Sequence, residues 1–342
     1  MASHRRPKQP TRARVTVLTA TAAAAVALST QGATAAPAKP SKEEVKSQVD
    51  ALYEEAEQAT EKFNGAKERQ EKLEKEIGQL QDQVARGQGD LNELRGTLGS
   101  MASAQYRNGG IDQSLALLLS EDPDSYLDKA SSLEHLSGKQ VEAVQKIQAK
   151  QRTLAQQRQE AAGKLADLDA TRKELGEKKK VSQEKLAAAQ ALLNTLTAQE
   201  RAALKDEETR ASRSDSQRVD LGNVSASGRA GAALAAAKTK LGGAYVSGAT
   251  GPSAFDCSGL TQWAYKQAGV GISRTTYTQA NDGTRISRSQ LQPGDLVFFY
   301  NDLHHVGLYA GNNMTLHASN PRGGIKYESM DNMPFMFGVR VS

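Results

Sequence analysis

The chain has 342 residues, of which 38% are hydrophobic and 24% are charged. This length allows two domains, but the composition is too polar for one large core and suits a long solvated helical region joined to a compact domain. The net charge of +5 is small and lies partly in the first 14 residues, and no basic stripe contains aromatic residues, so nucleic-acid binding is not expected.

The N-terminus has the three parts of a secretory signal. A basic segment precedes an apolar, alanine-rich stretch over 15–28, and Ala33-Thr34-Ala35 fits a small-x-small cleavage site. The apolar stretch is shorter than the roughly 20 residues of a membrane-spanning helix. We therefore predict a signal peptide over 1–35 and a secreted, extracellular protein, with a retained N-terminal anchor as the alternative.

A heptad pattern then begins and predicts a coiled-coil region over 42–206. Apolar residues recur at steps of four and three from Val45 to Met101, and only Gln70 and Gly87 interrupt them. Eight such heptads are typical of a coiled-coil helix. Asn108-Gly109-Gly110 should end this helix, because glycine favours turns and weakens helix interiors.

A second long helix is predicted from about residue 125 to about residue 204. One of its seam positions is mostly apolar and the other is polar, so it should bury a narrower stripe. We expect it to fold back on the first as an antiparallel hairpin with arms of about 100 Å at 1.5 Å per residue. An intermolecular dimer is the alternative. The region is a spacer, or it is an arm that either contacts an envelope partner or covers the active site. The apolar segment 115–119 at the tip favours contact with a partner, because an exposed apolar patch often marks a contact site.

Residues 207–228 are rich in Ser, Arg, Asp and Gly and predict a flexible linker. The remaining residues, 229–342, contain twelve of the sixteen aromatic residues and should hold the globular core. Helical patterns come first, over 231–241 and 261–267. Strand patterns follow over 296–300, 305–309, 314–318, 325–329 and 337–341. This order predicts an α+β domain with an antiparallel sheet.

Cys257 is the one cysteine of the chain, and it lies where a helix should begin. A helix N-terminus and a neighbouring histidine both favour the thiolate, which is the nucleophilic form. His305 begins a strand and His317 lies on the next, so His317 is placed to orient the imidazole of His305. From these residues alone, a buried inert thiol and a zinc site stay open as alternatives.

Several short motifs, in order, resemble the NlpC/P60 family of peptidoglycan cysteine peptidases. They are Gly243-Ala244-Tyr245-Val246, Phe255-Asp256-Cys257-Ser258-Gly259-Leu260, Ser273-Arg274-Thr275, Leu291-Gln292-Pro293-Gly294-Asp295-Leu296-Val297-Phe298-Phe299, His305-Val306-Gly307-Leu308-Tyr309-Ala310-Gly311 and His317-Ala318. The resemblance implies a papain-like domain over 229–342 with Cys257 as nucleophile, His305 as general base and His317 as the third polar residue. His304 is the neighbouring candidate, but His305 directly precedes Val-Gly, as the motif requires.

The resemblance also implies a substrate. Such enzymes usually cut between D-glutamate and the diamino acid of the stem peptide, in the cell wall. Tyr245, Asp256 and Ser258 match positions that line the substrate groove, and Arg274 is a weaker candidate there. No cofactor and no metal are implied. Ser247 and Ser273 depart from the family pattern, which leaves the substrate preference open.

Two other functions are compatible with the same residues. One is an amidase that cuts between glycan and peptide, and the other is a wall-binding scaffold without activity. The coiled coil resembles that of exported division-associated hydrolases, several of which are thought to be held inactive until a membrane complex engages the coil. A membrane-anchored division complex is therefore an expected partner besides peptidoglycan.

Overall fold

The computed structural model describes residues 39–107, 115, 123–218 and 228–341. The predicted signal peptide, and the tip segment apart from residue 115, lie outside the described residues. Two long helices, α1 (Lys42–Arg107) and α2 (Pro123–Thr195), form the N-terminal region. Within the described residues, no helix has the length and apolar character needed to cross a membrane.

Helices α1 and α2 pack against each other as an antiparallel hairpin. Ion pairs link the two helices in reverse order along the chain, at Arg69–Glu174 (2.9 Å), Glu76–Lys164 (2.7 Å) and Asp90–Lys150 (2.6 Å). The predicted long helical N-terminal region is thus confirmed. Its two helices form an antiparallel hairpin within one chain.

The apolar seam accounts for this packing. Buried side chains of α1 follow the predicted heptads, and they include Val45, Val49, Ala56, Ala59, Ala66, Ile77, Leu80 and Leu91. Gly87, which interrupts the seam, lies against Leu154 of α2. A Cβ atom at residue 87 would come within 2.7 Å of Leu154 Cδ2. The interruption therefore makes room for a large side chain of the opposite helix.

The second half of the hairpin differs from the prediction at its end. Helix α2 stops at Thr195, and a separate helix, α3 (Ala198–Arg218), follows. Thr197 caps it, because its hydroxyl accepts the Glu200 N–H (3.2 Å) while the Glu200 carboxylate accepts the Thr197 N–H (2.8 Å).

The predicted flexible linker over 207–228 is therefore wrong for residues 207–218, which continue α3. Their Glu, Arg, Ala and Gln side chains form helices readily even without an apolar stripe. The remaining residues up to 227 lie outside the described residues.

The C-terminal part has helices on one side of an antiparallel sheet, as the predicted α+β class requires. Its helices are α4 (Gly228–Lys238), α5 (Cys257–Gln267) and α6 (Thr276–Gln279). The strands are β1 (Ala244–Tyr245), β2 (Ala254–Phe255), β3 (Thr284–Ile286), β4 (Leu296–Phe299), β5 (His305–Gly311), β6 (Met314–Ala318), β7 (Ile325–Ser329) and β8 (Phe335–Arg340). The sheet order is β3-β8-β4-β5-β6-β7, and β1 and β2 form a separate parallel pair.

The core lies between α5 and the sheet. Leu260, Ala264 and Tyr265 of α5 are fully buried in one cluster with Leu308 and Leu316 of the sheet. The Tyr265 hydroxyl donates a hydrogen bond to the Gly294 carbonyl at 2.8 Å. This packing fixes the N-terminus of α5 opposite the start of β5, which is where the candidate nucleophile and base meet.

The first half of α1 contacts the C-terminal domain. Arg322, in the loop after β6, donates from Nη2 to Asp50 of α1 (2.6 Å) and from Nε to Glu208 of α3 (2.6 Å). Arg322 and Glu208 are largely buried, whereas the Asp50 carboxylate is partly exposed. The Arg322 guanidinium thus joins α1 and α3 to the C-terminal domain.

Candidate active site

Cys257 is the first residue of α5, as the sequence predicts. Asp256 caps this helix, and its side chain accepts the Gly259 N–H at 2.6 Å. A Cβ atom at residue 259 would lie 2.2 Å from the Ala249 carbonyl oxygen, so only glycine fits there. The Asp-Cys-Ser-Gly motif therefore holds the thiol at a tightly packed helix N-terminus, where the helix dipole favours an anion.

The structure brings His305 and His317 together on neighbouring strands. Leu308 pairs with Leu316 across β5 and β6, which puts both histidines on one face. His305 Nε2 lies 2.6 Å from His317 Nδ1, and the rings meet edge-on. Gly307 makes this contact possible, because a Cβ atom there would lie 2.3 Å from Thr315 Oγ1 and 3.1 Å from His317 Cβ.

His304 faces a different environment from His305. Its Nδ1 contacts Asp302, and its ring stacks on Tyr300 with the ring centres 4.2 Å apart. Only its backbone carbonyl approaches the thiol, at 3.8 Å from Cys257 Sγ. Of the two adjacent histidines, the structure therefore turns the His305 imidazole towards Cys257.

An acidic residue of the coil completes this cluster. Glu57 of α1 places Oε1 2.6 Å from His305 Nδ1, the ring nitrogen that does not contact His317. The donor atoms of Glu57, Cys257 and His305 all lie within 4.8 Å of one another, and all three residues are buried. The Glu57 carboxylate thus contacts the imidazole nitrogen of His305 that would accept the proton of the thiol.

Two further residues of α1 enter the groove that the sequence assigns to substrate. The Ser258 hydroxyl donates to Glu61 Oε1 (2.7 Å), and the Thr276 N–H donates to Glu61 Oε2 (2.8 Å). The Asn64 amide donates to Asp256 Oδ2 at 3.1 Å. Two of the predicted substrate-binding residues, Asp256 and Ser258, are therefore occupied by side chains of the coil.

The other residues assigned to substrate lie around the same groove. Arg274 donates from Nη2 to Asp256 (2.6 Å) and from Nη1 to the Ser258 hydroxyl (2.7 Å). Tyr245 lines a cavity of about 460 Å³ together with Glu57 and His305. Tyr245, His305 and His317 therefore line one cavity with Glu57 of α1, and α1 also contacts Asp256 and Ser258.

Sequence reasoning missed Glu57, Glu61 and Asn64. A weak signal was present, since these residues follow one another at steps of four and three and thus share one face of α1. An acidic stripe beside an apolar seam normally indicates a solvated surface. Glu61 is instead fully buried, which only the packing of α1 on the domain reveals.

Burial and these carboxylates control the charge of the catalytic candidates. Burial raises the pKa of the Cys257 thiol well above its ordinary value, and Glu57 raises it further. Burial alone would lower the pKa of His305, but the Glu57 carboxylate outweighs it and leaves the pKa raised. The arrangement with α1 in place therefore favours a neutral thiol beside an imidazolium, which is a resting state rather than a nucleophilic one.

The same three donors are of kinds that zinc accepts. Thiolate, imidazole and carboxylate are its usual ligands, so Glu57, Cys257 and His305 are the residues that could hold such an ion. The hydrogen bond of 2.6 Å between Glu57 and His305 already joins two of them directly.

Raising the pH should loosen the contact between α1 and the groove. Burial, and then the Asp256 carboxylate, raise the pKa of Glu61 to about 7. A carboxyl whose pKa is raised in the contact binds its proton more tightly there, so low pH favours the contact and this contribution is lost as the pH rises through about 7. The raised pKa of His305 acts in the same direction.

Hydrogen exchange over residues 57–64, corrected for intrinsic rates, measures this effect. Protection should fall between about pH 5 and about pH 8. The Glu61→Gln variant is the control, because it has no carboxyl at this position to titrate and its protection should depend less on pH. Protection that is independent of pH in the unaltered chain would contradict the expectation.

Comparison with known proteins identifies the domain that carries this site. Residues 242–337 match the model of the NlpC/P60 family, so the predicted family resemblance is confirmed for this domain. A probable endopeptidase of Corynebacterium glutamicum is 51% identical over 105 residues, which are 31% of this chain and 50% of that protein. The probable endopeptidase p60 of Listeria monocytogenes is 43% identical over 99 residues, 28% of this chain and 20% of that protein.

Solved structures include the NlpC/p60 domain of the peptidoglycan hydrolase SagA. It is 36% identical, and the match covers 33% of this chain and 98% of that one with a TM-score of 0.32. The chain covers half or less of the length of the Corynebacterium and Listeria relatives. The residues matched by the family model, 242–337, lie in the C-terminal domain, and the helical hairpin lies outside them.

Proposed function

Residues 242–337 form an NlpC/P60 domain, and from this premise we propose that the chain is an exported peptidoglycan hydrolase that acts by thiol catalysis. The observation that carries the proposal is the cluster of Cys257, His305 and His317. The thiol begins a helix, the imidazole of His305 lies beside it, and His317 holds the far nitrogen of that imidazole at 2.6 Å. These are the parts of a nucleophile, a base and an orienting residue.

The proposed reaction proceeds through a thioester. The Cys257 thiolate adds to the peptide carbonyl, and the C–N bond breaks as the leaving amine takes a proton from the His305 imidazolium. The neutral imidazole then takes a proton from water, the hydroxide adds to the thioester, and the C–S bond breaks to release the acid. His305 has to be released from Glu57 for both proton transfers, since Glu57 contacts the nitrogen that performs them.

The substrate we propose is the peptidoglycan stem peptide, cut between D-glutamate and the diamino acid. Asp256 and Arg274 supply opposite charges on the groove next to Cys257, with their side chains 2.6 Å apart. Asp256 suits a free ammonium group, and the Arg274 guanidinium with the Ser258 hydroxyl suits a carboxylate. A stem peptide fragment carries both groups within a few bonds of the cut.

We further propose that α1 holds the enzyme in a latent form. Three contacts of α1 support this proposal. Glu57 binds the His305 imidazole, Glu61 binds the Ser258 hydroxyl, and Asn64 binds the Asp256 carboxylate. Substrate and α1 then compete for the same donors, so activity requires the hairpin to move. A membrane-anchored division complex that engages the hairpin is the partner we propose for that step.

Digestion of purified peptidoglycan followed by mass spectrometry tests the bond that is cut. The full chain and the fragment 229–342 should both release fragments with a new amino terminus on the diamino acid, the fragment faster. A product with a new terminus on L-alanine would instead support an amidase. Digestion by neither protein, under conditions in which wall digests with a reference hydrolase, would support a non-catalytic scaffold.

A further inference from the structure

A third side chain continues the line of hydrogen bonds from His305 through His317. Glu328 of β7 places Oε2 3.1 Å from His317 Nε2, on the side of the ring away from His305. The strand register brings the two residues together, because His317 pairs with Lys326, and Glu328 lies two residues further along the same face of β7. The order of contacts is thus Glu328, His317, His305.

The Glu328 carboxylate, at the end of this line of hydrogen bonds, determines which histidine nitrogens donate and which accept. A carboxylate only accepts, so His317 must carry its proton on Nε2. His317 Nδ1 is then an acceptor, and the nitrogen 2.6 Å from it, His305 Nε2, must be the donor. His305 Nδ1 is left as the nitrogen that takes up and gives back a proton, and it is the one that faces Cys257 and Glu57.

Glu328 is well placed to remain a carboxylate. Burial raises its pKa, but the His317 hydrogen bond and the Lys326 ammonium, 3.0 Å away, outweigh burial and leave the pKa lowered. The exposed Asn332 amide donates to the other oxygen at 3.2 Å. Burial in turn lowers the pKa of His317 to about 4, so its ring stays neutral and has one N–H to place.

We propose that Glu328 is a positioning residue of the thiol peptidase, which fixes the tautomers of His317 and His305 so that the basic nitrogen of His305 faces Cys257. The inference rests on the proposed function. Without the carboxylate, His317 is free to carry its proton on Nδ1. That proton would point at His305 Nε2 and force the His305 proton to the side of the thiol, where a lone pair is needed.

The test combines a tautomer measurement with kinetics on the full chain. In Glu328→Met, which has a similar length but no oxygen to accept the His317 N–H, kcat/KM on peptidoglycan should fall roughly 10- to 100-fold, as for other residues that orient a catalytic ligand. The basic limb of the pH profile should move to lower pH, because the imidazolium loses a nearby negative charge. Nitrogen-15 spectra of the histidines should show His317 protonated on Nε2 in the unaltered chain and on Nδ1 in the variant.

Two variants separate positioning from simple packing. Glu328→Asp keeps the charge and should restore part of kcat/KM and the basic limb. Asn332→Ala removes a partner of Glu328 that does not touch His317, and its pH profile and His317 tautomer should match those of the unaltered chain.

An unchanged His317 tautomer and an unchanged basic limb in folded Glu328→Met would overturn the positioning role. If the proposed thiol peptidase function is wrong, a different result is expected, because Cys257→Ala would then be as active as the unaltered chain. The nitrogen-15 spectra report on Glu328 even where activity is too low to measure.

Discussion

Replacing Cys257 with alanine should abolish peptidoglycan hydrolysis, with a loss of at least about 10⁴-fold in kcat, because no other group can form the thioester. Cys257 is the one cysteine of the chain, so no second thiol can substitute for it. The alanine variant should fold normally, since alanine is small and apolar and the thiol contributes only weak hydrogen bonds, such as the one to the His304 carbonyl at 3.8 Å. Release of soluble fragments from purified wall material measures the loss.

Two histidine variants serve as controls for this result. His305→Ala should lose activity to a similar degree, because it removes the base beside Cys257. His304→Gln should keep most of its activity, since the His304 ring contacts Tyr300 and Asp302 instead of the thiol. Fragment release by Cys257→Ala at the rate of the unaltered chain would rule out thiol catalysis, and full activity of His305→Ala would remove His305 from the mechanism.

Removing the Glu57 carboxylate should activate the full chain. Its hydrogen bond to the buried His305 is charge-assisted, and such bonds contribute about 1.5–3 kcal/mol. Loss of this contribution shifts the balance between covered and open groove by roughly 10- to 100-fold. We expect Glu57→Ala to hydrolyse peptidoglycan faster than the unaltered chain by about that factor, up to the rate of the fragment 229–342.

A neighbouring glutamate supplies the matched control. Glu55 lies on the same turn of α1, and it forms a partly exposed ion pair with Lys185 instead of entering the groove. Glu55→Ala should leave activity unchanged, because exposed ion pairs contribute little to stability. The rate at which iodoacetamide alkylates Cys257 reports opening directly, and it should rise in Glu57→Ala alone. Equal alkylation and equal hydrolysis in the two variants would contradict latency by this contact.

The fold was predictable where local patterns determine it. The heptads from Val45 to Met101 predict a long helix with one apolar seam, and the second helix predicts a partner for it, although the heptads alone do not decide between a hairpin and a dimer. The strand over 305–309 and the strand over 314–318 are joined by a short turn, so the neighbouring positions of His305 and His317 also followed from sequence. In each case the residues that decide the structure lie close together in the chain.

The cover over the groove was not predictable in the same way. Glu61 meets Ser258 and Thr276 across about two hundred residues of chain, and nothing in its neighbourhood distinguishes it from the solvated glutamates around it. The helix over 207–218 was missed for a related reason. It has few apolar residues to mark it, and its Glu208 is held from a distance by Arg322.

The placement of Glu57 also bears on how long the enzyme can persist before use. Export would carry Cys257 into oxidising surroundings, where an accessible thiolate is converted to sulfenic acid and then to irreversible sulfinic acid. With α1 in place Cys257 is 1% exposed and the pKa of its thiol is raised, so the thiol lacks both the access and the charge that oxidants require. If α1 holds the enzyme latent as proposed, the same helix would also protect Cys257 from oxidation until the hairpin moves.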